Sequence, residues 1–275
     1  MRVAHDYLRK HIFLPQDHGS WVFIFSPLLI GLSAGRSFTF ASVSLVLAAI
    51  AAFLMRQPIT IAVKAYSGRR AKSDLPAARF WIALYGVIIL TAWICLVRAG
   101  FSYLLLLAIP GALVFLWHLW LVSKREERRQ VSVEILATAV LSLVAPAAYW
   151  AGIGRYDSTG WWLWILVWLQ TAASIIHAYL RLEQREQAER PKRSELWRMG
   201  ARAFAFTTFN LVVVLVLGSL SLWSRWLFLP YLVQWLETVW GIFHPAIKWK
   251  PTDIGIRQLI VSSLWTILFI ITWTL

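Results

Sequence analysis

Polar and ionisable side chains are rare within the long apolar segments of this chain, and they are the residues that could carry out chemistry. Burying such a group in an apolar medium is costly, so its presence indicates a function or an internal hydrogen bond. Carboxylates and histidines can transfer protons, and arginine, lysine and amide groups can hold an anion. The candidates for proton transfer are Asp17, Glu134 and His177, and the candidates for binding an anionic substrate are Gln16, His18, Arg56, Gln57, Lys64 and Arg181.

The motif PQDHGSW at residues 15–21 directly precedes the first apolar segment. Unpaired polar atoms at that position are costly, which favours a functional site built from Asp17 and its neighbours. The same pattern also fits a structural role, in which Asp17 caps the first helix and Pro15 and Gly19 make the bend before it. The sequence leaves both interpretations open.

Residues 56–79 follow the second apolar segment and are rich in basic side chains. Pro58 fits the first turn of a short helix, where no amide donor is needed. On that helix Arg56, Thr60 and Lys64 would lie on one face, since they are spaced four residues apart. Such a face can hold a phosphate group through charge-assisted hydrogen bonds. A plain basic anchor beside lipid head groups also explains these charges.

His177 and Arg181 are one helical turn apart in the sequence HAYLR. A single histidine within a membrane helix more often makes a hydrogen bond between helices than it catalyses a reaction. Glu134 and His177 are expected at a depth similar to that of Arg56 and Asp17. If these four side chains meet, they form one shared polar site at the membrane boundary.

Residues 181–198 mix acidic and basic side chains, which predicts that the sixth apolar helix continues beyond the membrane until Pro191 ends or bends it. This segment is either a solvated helical extension or a lid and anion clamp over a membrane cavity. Glu237 and Asn210 lie in later apolar segments and fit a role in packing between helices.

Apolar residues make up 59% of the 275 residues, and charged residues only 15%. A soluble domain could not hide so much apolar surface, whereas a lipid bilayer accepts it. A bilayer core about 30 Å thick needs roughly 20 helical residues per crossing. The sequence therefore predicts a single all-α transmembrane domain over residues 1–275, a polytopic bundle of about nine helices. The predicted spans lie near 19–35, 38–55, 78–98, 101–122, 131–153, 160–180, 202–222, 224–242 and 256–275.

The 27 Lys and Arg residues predict the orientation of these spans. If the amino terminus is cytoplasmic, all of them lie in cytoplasmic segments except Arg36, Arg98, Arg155 and Arg225. We therefore expect a multi-pass protein of the cytoplasmic (inner) membrane with its carboxyl terminus outside. The basic residues punctuate apolar segments, so they favour membrane lipids with anionic head groups as partners and exclude nucleic acid.

Sequence signals of cofactor binding are absent. The chain has no Walker loop, no Gly-rich dinucleotide fingerprint and no Cys/His spacing typical of a metal site. Its single cysteine, Cys95, excludes a disulfide framework within the chain. No cofactor and no metal ligand are predicted, and whether the protein is an enzyme stays open.

The motif QDHGSW at residues 16–21, the RQP at residues 56–58 and the basic loop ahead of Glu134 together resemble the YwiC-like family of bacterial membrane proteins. The resemblance extends over most of the chain, and the first motif is its most specific element. It implies a class of integral membrane protein and no particular mechanism.

A more distant architectural resemblance is to the UbiA superfamily of intramembrane prenyltransferases, which implies an isoprenoid-shaped cavity. Those enzymes hold magnesium and a prenyl diphosphate with Asp-rich motifs in the loops after spans two and six. Here the first loop offers only Asp74, and the second offers Glu183, Glu186 and Glu189 among arginines. Magnesium is compatible with the resemblance, but the Asp-rich motifs are absent, so the catalytic residues do not carry over.

Two functions follow from these observations. The first is a protein with a cytoplasm-facing polar site that binds or processes an anionic isoprenoid-type lipid, such as a polyprenyl phosphate or a quinone precursor. The alternative is a non-catalytic subunit or assembly factor of a membrane complex, photosynthetic or respiratory, whose tryptophans contact a partner. A transporter ranks third, because no inverted repeat is visible.

Overall fold

The structure, a computed structural model, describes residues 9–15, 18–126 and 131–275. Two candidate site residues, Gln16 and Asp17, lie outside the described residues, and so does the side chain of His18. Within the described ranges the regular secondary structure is helical throughout, with no strand. The all-α fold class predicted from the sequence is therefore confirmed.

Eleven α-helices follow one another along the described chain. They are α1 (Lys10–Phe13), α2 (Val22–Gly35), α3 (Phe40–Tyr66), α4 (Leu75–Arg98), α5 (Leu105–Lys124), α6 (Val131–Ser142), α7 (Val144–Ile153), α8 (Thr159–Arg185), α9 (Arg193–Ser219), α10 (Phe228–Phe243) and α11 (Pro251–Thr274). Single 3-10 turns precede α2, α4, α5 and α10.

Seven helical segments of the described chain are long and apolar enough to cross a membrane, so the protein is a multi-pass membrane protein. The helical segment Gly19–Gly35 is apolar but shorter, and α10 has 16 residues and carries Gln234 and Glu237. That these two also cross the membrane stays a prediction. The seven segments are Phe40–Tyr66, Lys72–Arg98, Ser102–Lys124, Val131–Ile153, Thr159–Arg185, Arg193–Ser219 and Pro251–Thr274.

The prediction of a short helix that begins at Pro58 is wrong, because Pro58 lies inside the long helix α3. This helix begins with a capping box between Thr39 and Ser42 and runs without interruption through Pro58 to Tyr66. Proline is tolerated inside a membrane helix because neighbouring groups satisfy the backbone that it leaves unpaired. Arg56 therefore lies within a 27-residue helix and not at the start of a new one.

The predicted extension of the sixth span is also wrong in its extent. Helix α8 ends at Arg185, and α9 begins at Arg193, so residues 186–192 form a loop. The backbone amide of Lys192 donates to the carboxylate of Glu195, which caps the start of α9. Arg190 in the loop donates to the carbonyl oxygen of Phe243 at the end of α10.

Helix α8 is the central helix of the bundle. Of its most apolar stretch of 18 residues, 67% are buried inside the chain. The corresponding share for the segment Ser102–Lys124, at the periphery, is 11%. The first half of α8 packs in an apolar core with α10 and α11, formed by Leu163, Leu166, Val167, Tyr231, Trp265 and Phe269. Side chains on α8 therefore face other helices, and polar ones among them need partners there.

With α6 and α7 counted as one segment, the helices from α3 onward alternate in direction, so loops 67–71, 186–192 and 244–250 lie at one end of the bundle. Contacts near the last two loops support this arrangement, since Arg185 donates to the carbonyl oxygen of Trp249 and Arg190 to that of Phe243. We call this end the basic end, because the three loops carry six basic residues, namely Arg69, Arg70, Arg190, Lys192, Lys248 and Lys250.

Candidate functional site

Five buried polar side chains form a stripe along the basic half of α8, and we call them the polar stripe. Their exposed fractions are between 0% and 3%, and their spacing of four, three, four and three residues places them on one face of the helix. At a rise of 1.5 Å per residue the stripe is about 21 Å long. Its members are Gln170, Ser174, His177, Arg181 and Gln184.

Arg181 lies near the basic end of the stripe and is 2% exposed. Its Nη1 donates to the carbonyl oxygens of Gly241 and His244, at 2.7 and 2.6 Å, and to Oε1 of Gln184 at 2.9 Å. A cation at the last carbonyls of α10 stabilises the end of that helix. The other two nitrogens, Nε and Nη2, are buried without a hydrogen-bond partner among the described residues.

Arg181 also has no carboxylate partner within ion-pair distance in the part of the chain that the structure describes. Instead of a carboxylate, two indole rings lie beside the guanidinium group. The guanidinium carbon of Arg181 lies 5.0 Å from the ring centre of Trp249 and 5.6 Å from that of Trp240. The face of an aromatic ring attracts a cation more weakly than a carboxylate does, so the charge of Arg181 is only partly compensated.

Glu237 of α10 is the anion of this cluster. It accepts two hydrogen bonds from Arg257 of α11, from Nε at 2.6 Å and from Nη2 at 2.8 Å. Nε2 of His177 lies 3.7 Å from the same carboxylate. With His177 neutral, Arg181 and Arg257 exceed Glu237 by one positive charge, so the cluster favours an additional anion.

Gly241 allows α10 to approach α8 at this point. A Cβ atom added at Gly241 would lie 2.8 Å from Cε1 of His177 and 3.4 Å from Nη1 of Arg181. Any side chain would therefore displace the imidazole ring or the guanidinium group. The close approach also brings the carbonyl oxygen of Gly241 to Arg181 and to Gln184.

Toward the middle of the bundle the stripe continues with uncharged partners. Gln170 donates to Oε1 of Gln234 at 2.9 Å, and Ser174 accepts from Gln258 and lies 3.4 Å from Ser262. Unpaired buried atoms recur along the stripe, namely Oε1 of Gln170 and Nδ1 of His177 beside the two nitrogens of Arg181.

The other predicted site residues whose side chains the structure describes lie elsewhere. Glu134 accepts a hydrogen bond from Tyr179 at 2.7 Å. Tyr179 and His177 are two residues apart on α8, so they point to faces separated by about 200°. The expected meeting of Glu134 and His177 therefore does not occur.

The residues predicted on the second loop lie on α3, which packs mainly against α4. The guanidinium carbon of Arg56 lies 4.9 Å above the ring of Phe53. Gln57 donates to the carbonyl oxygen of His11 and so ties α1 to α3, which is a structural role. Lys64 is half-buried in the last turn of α3.

A cavity at the basic end, with a volume of about 470 Å³, opens between α6, α8 and α9. Its described lining residues are mostly apolar, and they include the carboxylates of Glu183 and Glu186 and the guanidinium of Arg202. Among these described residues the carboxylates outnumber the guanidinium, which disfavours a phosphate, so we take Arg181 as the better anion site. In the described residues no group of three or more His, Cys, Asp or Glu is placed to hold a metal ion.

Residues 14–149 match the family model described as YwiC-like protein. Over these residues the chain is similar to the YwiC-like family. No curated protein and no solved structure gives a significant match. The resemblance to the UbiA superfamily therefore stays a prediction about architecture.

The segment that matches the YwiC-like model ends within α7. It contains the QDHGSW motif and the residues of α3, and it stops before the polar stripe of α8 begins. The cluster around Arg181 is thus a feature of the second half of the chain, and it is built from α8, α10, α11 and the loop before α11.

Sequence reasoning found His177 and Arg181 but missed most of their partners. Glu237 was assigned to packing, and the other partners were not considered as site residues. One signal in the sequence was available, since the polar residues of α8 follow a seven-residue repeat that marks a buried polar face. The missed residues are Gln184, Trp240, Gly241, Trp249 and Arg257.

Proposed function

We propose that this protein binds an anionic isoprenoid-type lipid, with the head group held by Arg181 at the cytoplasmic face of the cytoplasmic (inner) membrane. The observation that carries the proposal is the buried guanidinium of Arg181, which within the described residues has two unpartnered nitrogens and no carboxylate at ion-pair distance. A buried charge without a partner costs several kcal/mol in a protein interior, so it is expected where a ligand completes the site.

The chemistry of the unpartnered edge favours a phosphate or a similar oxyanion. Nε and Nη2 of a guanidinium donate in parallel, and that fork matches two oxygens of a phosphate or a carboxylate. Arg257 uses the same pair of nitrogens to hold the carboxylate of Glu237 in this structure. The equivalent edge of Arg181 supports binding of an anion from outside the chain.

The position of Arg181 favours an anion that belongs to a lipid. The guanidinium lies inside a membrane bundle, under the loop 244–250, whose Trp249 ring covers it. Lys248 and Lys250 in this loop add positive charge at the entrance. The isoprenoid tail is the part of the proposal taken from the architectural resemblance to UbiA enzymes, and a comparison of farnesyl phosphate with inorganic phosphate tests whether a tail is recognised.

The experiment measures ligand-induced thermal stabilisation of the protein in detergent with farnesyl phosphate. A ligand at about 100 times its Kd stabilises the folded state by about 2.7 kcal/mol, which raises Tm by several degrees. We expect this shift in the wild type and in Arg185→Gln, and its loss in Arg181→Gln. Arg185 is the matched control, since it is the next arginine on α8 and contacts the same loop.

Three outcomes would contradict the proposal or its parts. An equal shift in Arg181→Gln would exclude Arg181 as the head-group ligand. An equal shift with farnesol would exclude the anion as the recognised group. An equal shift with inorganic phosphate would exclude the lipid tail and leave a site for a free anion.

The proposed orientation gives a separate prediction. Because basic loops stay in the cytoplasm, an alkaline phosphatase fused after Leu275 should be active, and a green fluorescent protein at the same position should be dark. The same reporters inserted after Gln187, in the loop between α8 and α9, should give the opposite result. A fluorescent carboxyl-terminal fusion would show that the number of crossings is even.

One observation supports the second candidate, a subunit of a membrane complex. The segment Ser102–Lys124 is only 11% buried in its apolar window, and it exposes Trp117 and Trp120. Large aromatic side chains are enriched where proteins contact partners. A partner that co-purifies in equal amount in mild detergent, and is lost in Trp117→Ala/Trp120→Ala, would support this candidate.

A further inference from the structure

The spacing of the polar stripe continues along α8 beyond Gln170, but the residues at these positions become apolar. The next residues on the same face are Val167 and Leu163, both 0% exposed. They belong to the apolar core with Tyr231 and Trp265. One face of α8 is therefore polar from the basic end to about the middle of the bundle and apolar from there on.

Unpaired polar atoms are concentrated on the polar part of that face. Of the seven buried atoms without a partner among the described residues, four belong to Gln170, His177 and Arg181. Polar residues that only hold membrane helices together would satisfy one another. Here each of these side chains uses part of its hydrogen-bonding capacity on protein and leaves part unused, which is the pattern that internal water satisfies.

The partners of the stripe extend the polar surface across three helices. Ser174 is linked to Gln258 and Ser262 of α11, and from Ser262 the carbonyl oxygen accepts from Thr266. The hydroxyl of Thr266 is 2.6 Å from that of Ser26 on α2. On the other side Gln170 is linked to Gln234 of α10, whose amide is 3.4 Å from the hydroxyl of Thr238.

We propose that the polar stripe of α8, with its partners on α10 and α11, is a half-channel that admits water and protons from the basic end as far as Gln170 and is closed at Val167. Its mouth lies beside Arg257, whose side chain is 36% exposed. From there it passes Glu237 and His177 and reaches Ser174, with Arg181 one turn from His177 on the side of the basic end. Hydroxyl and amide groups along this path relay protons through water, and they give the His177–Glu237 pair access to the aqueous phase.

The half-channel does not require the proposed lipid function, because it depends on Gln170, Ser174 and His177 and not on anion binding by Arg181. Water occupies the unpartnered edge of Arg181 when no anion is bound there, and this explains how a charged cluster persists in the bundle. Water that makes two to four hydrogen bonds to each polar group reduces the cost of burying Arg181 and Glu237. The apolar closure at Val167 prevents the path from becoming a leak across the membrane.

The test measures access of silver ions to single thiols. Ag⁺ is small and water-soluble and binds thiolates. In a Cys95→Ser background the single thiol is introduced by Ser174→Cys, Gln170→Cys, Val167→Cys or Leu163→Cys. After timed exposure to Ag⁺ the protein is denatured, and the unreacted thiol is counted with a fluorescent maleimide. We expect the thiols at positions 174 and 170 to react with Ag⁺ at least about tenfold faster than those at positions 167 and 163, since thiol reactivity follows access to water.

The comparison of positions 170 and 167 is the most discriminating part of the test. Both lie on the same face of α8 and are less than one turn apart, so a difference in reaction rate reports the end of the water path between them. Ser262→Cys on α11 is a further variant on the path, to be used if Ser174→Cys does not purify as a monodisperse protein. Equally slow reaction of the thiols at all positions would overturn the half-channel and would show that the stripe is a network of hydrogen bonds without water. Fast reaction at Leu163 would overturn the closure.

Discussion

Replacing Glu237 with alanine is expected to lower the stability of the protein by about 3 kcal/mol, the largest loss among single substitutions of its polar residues. Glu237 is the only carboxylate within ion-pair distance of Arg257 and His177 in the described chain. Its removal leaves Arg257 without its bidentate partner between α10 and α11. Arg257 is 36% exposed and can turn partly toward water, so the loss lies at the lower end for a broken buried pair.

The measurement is thermal unfolding in detergent, where a loss of this size corresponds to a fall in Tm of about 6–12 °C for a chain of this size. Glu237→Gln keeps the shape and one acceptor, and it should lose less. The double variant Glu237→Ala/Arg257→Ala removes both charges and should recover part of the stability of Glu237→Ala. A fall in Tm of less than about 2 °C for Glu237→Ala would show that the pair contributes little, as for a surface ion pair.

The fold class could be predicted from the sequence because the membrane restricts the alternatives. In lipid every backbone group must be satisfied internally, so apolar segments of this length form helices. The positions of Ser102–Lys124 and Val131–Ile153, predicted near 101–122 and 131–153, follow from hydropathy alone. The errors occurred at helix ends, at Pro58 and at residues 186–192, where local breakers compete with the packing of neighbouring helices.

The candidate site could be predicted only in part, because depth along a helix does not determine which face a residue occupies. His177 and Glu134 have similar depths, yet His177 faces α10 and Tyr179 carries the contact to Glu134. The partner of His177, Glu237, is 60 residues away in the chain, and only the packing of α8 against α10 brings them together. Hydropathy and charge counts contain no information about that packing.

The contacts of Arg181 show a further reason why the site is not visible in the sequence. Most of the groups that contact it are backbone carbonyl oxygens and indole rings, those of Gly241, His244, Trp240 and Trp249. Backbone carbonyls are present at every residue and leave no signature in the sequence. An arginine held in this way looks like any other basic residue at a membrane boundary until the helices are placed.

Gly241→Leu is expected to abolish the binding of farnesyl phosphate while the helical bundle persists. The first side-chain atom alone would lie 2.8 Å from Cε1 of His177 and 3.4 Å from Nη1 of Arg181. A leucine adds three more carbon atoms, so α10 must move away from α8, and the guanidinium loses the carbonyl oxygens that position it. Overpacking of this kind costs about 1–3 kcal/mol, which is less than the loss expected for Glu237→Ala.

The expected result is a reduction of the farnesyl phosphate shift in Tm to near zero in Gly241→Leu and an intermediate shift in Gly241→Ala, whose single Cβ displaces His177 by a smaller distance. Gly255→Leu is the matched control, because Gly255 lies on α11 near the same end and a Cβ there meets nothing within 4 Å. Normal stabilisation by farnesyl phosphate in Gly241→Leu would show that the anion binds elsewhere. Because Gly241 contributes no charge and no side chain, a loss of binding here would be due to the displaced positions of Arg181 and His177 and not to the loss of a charge, whereas removal of the arginine changes position and charge together.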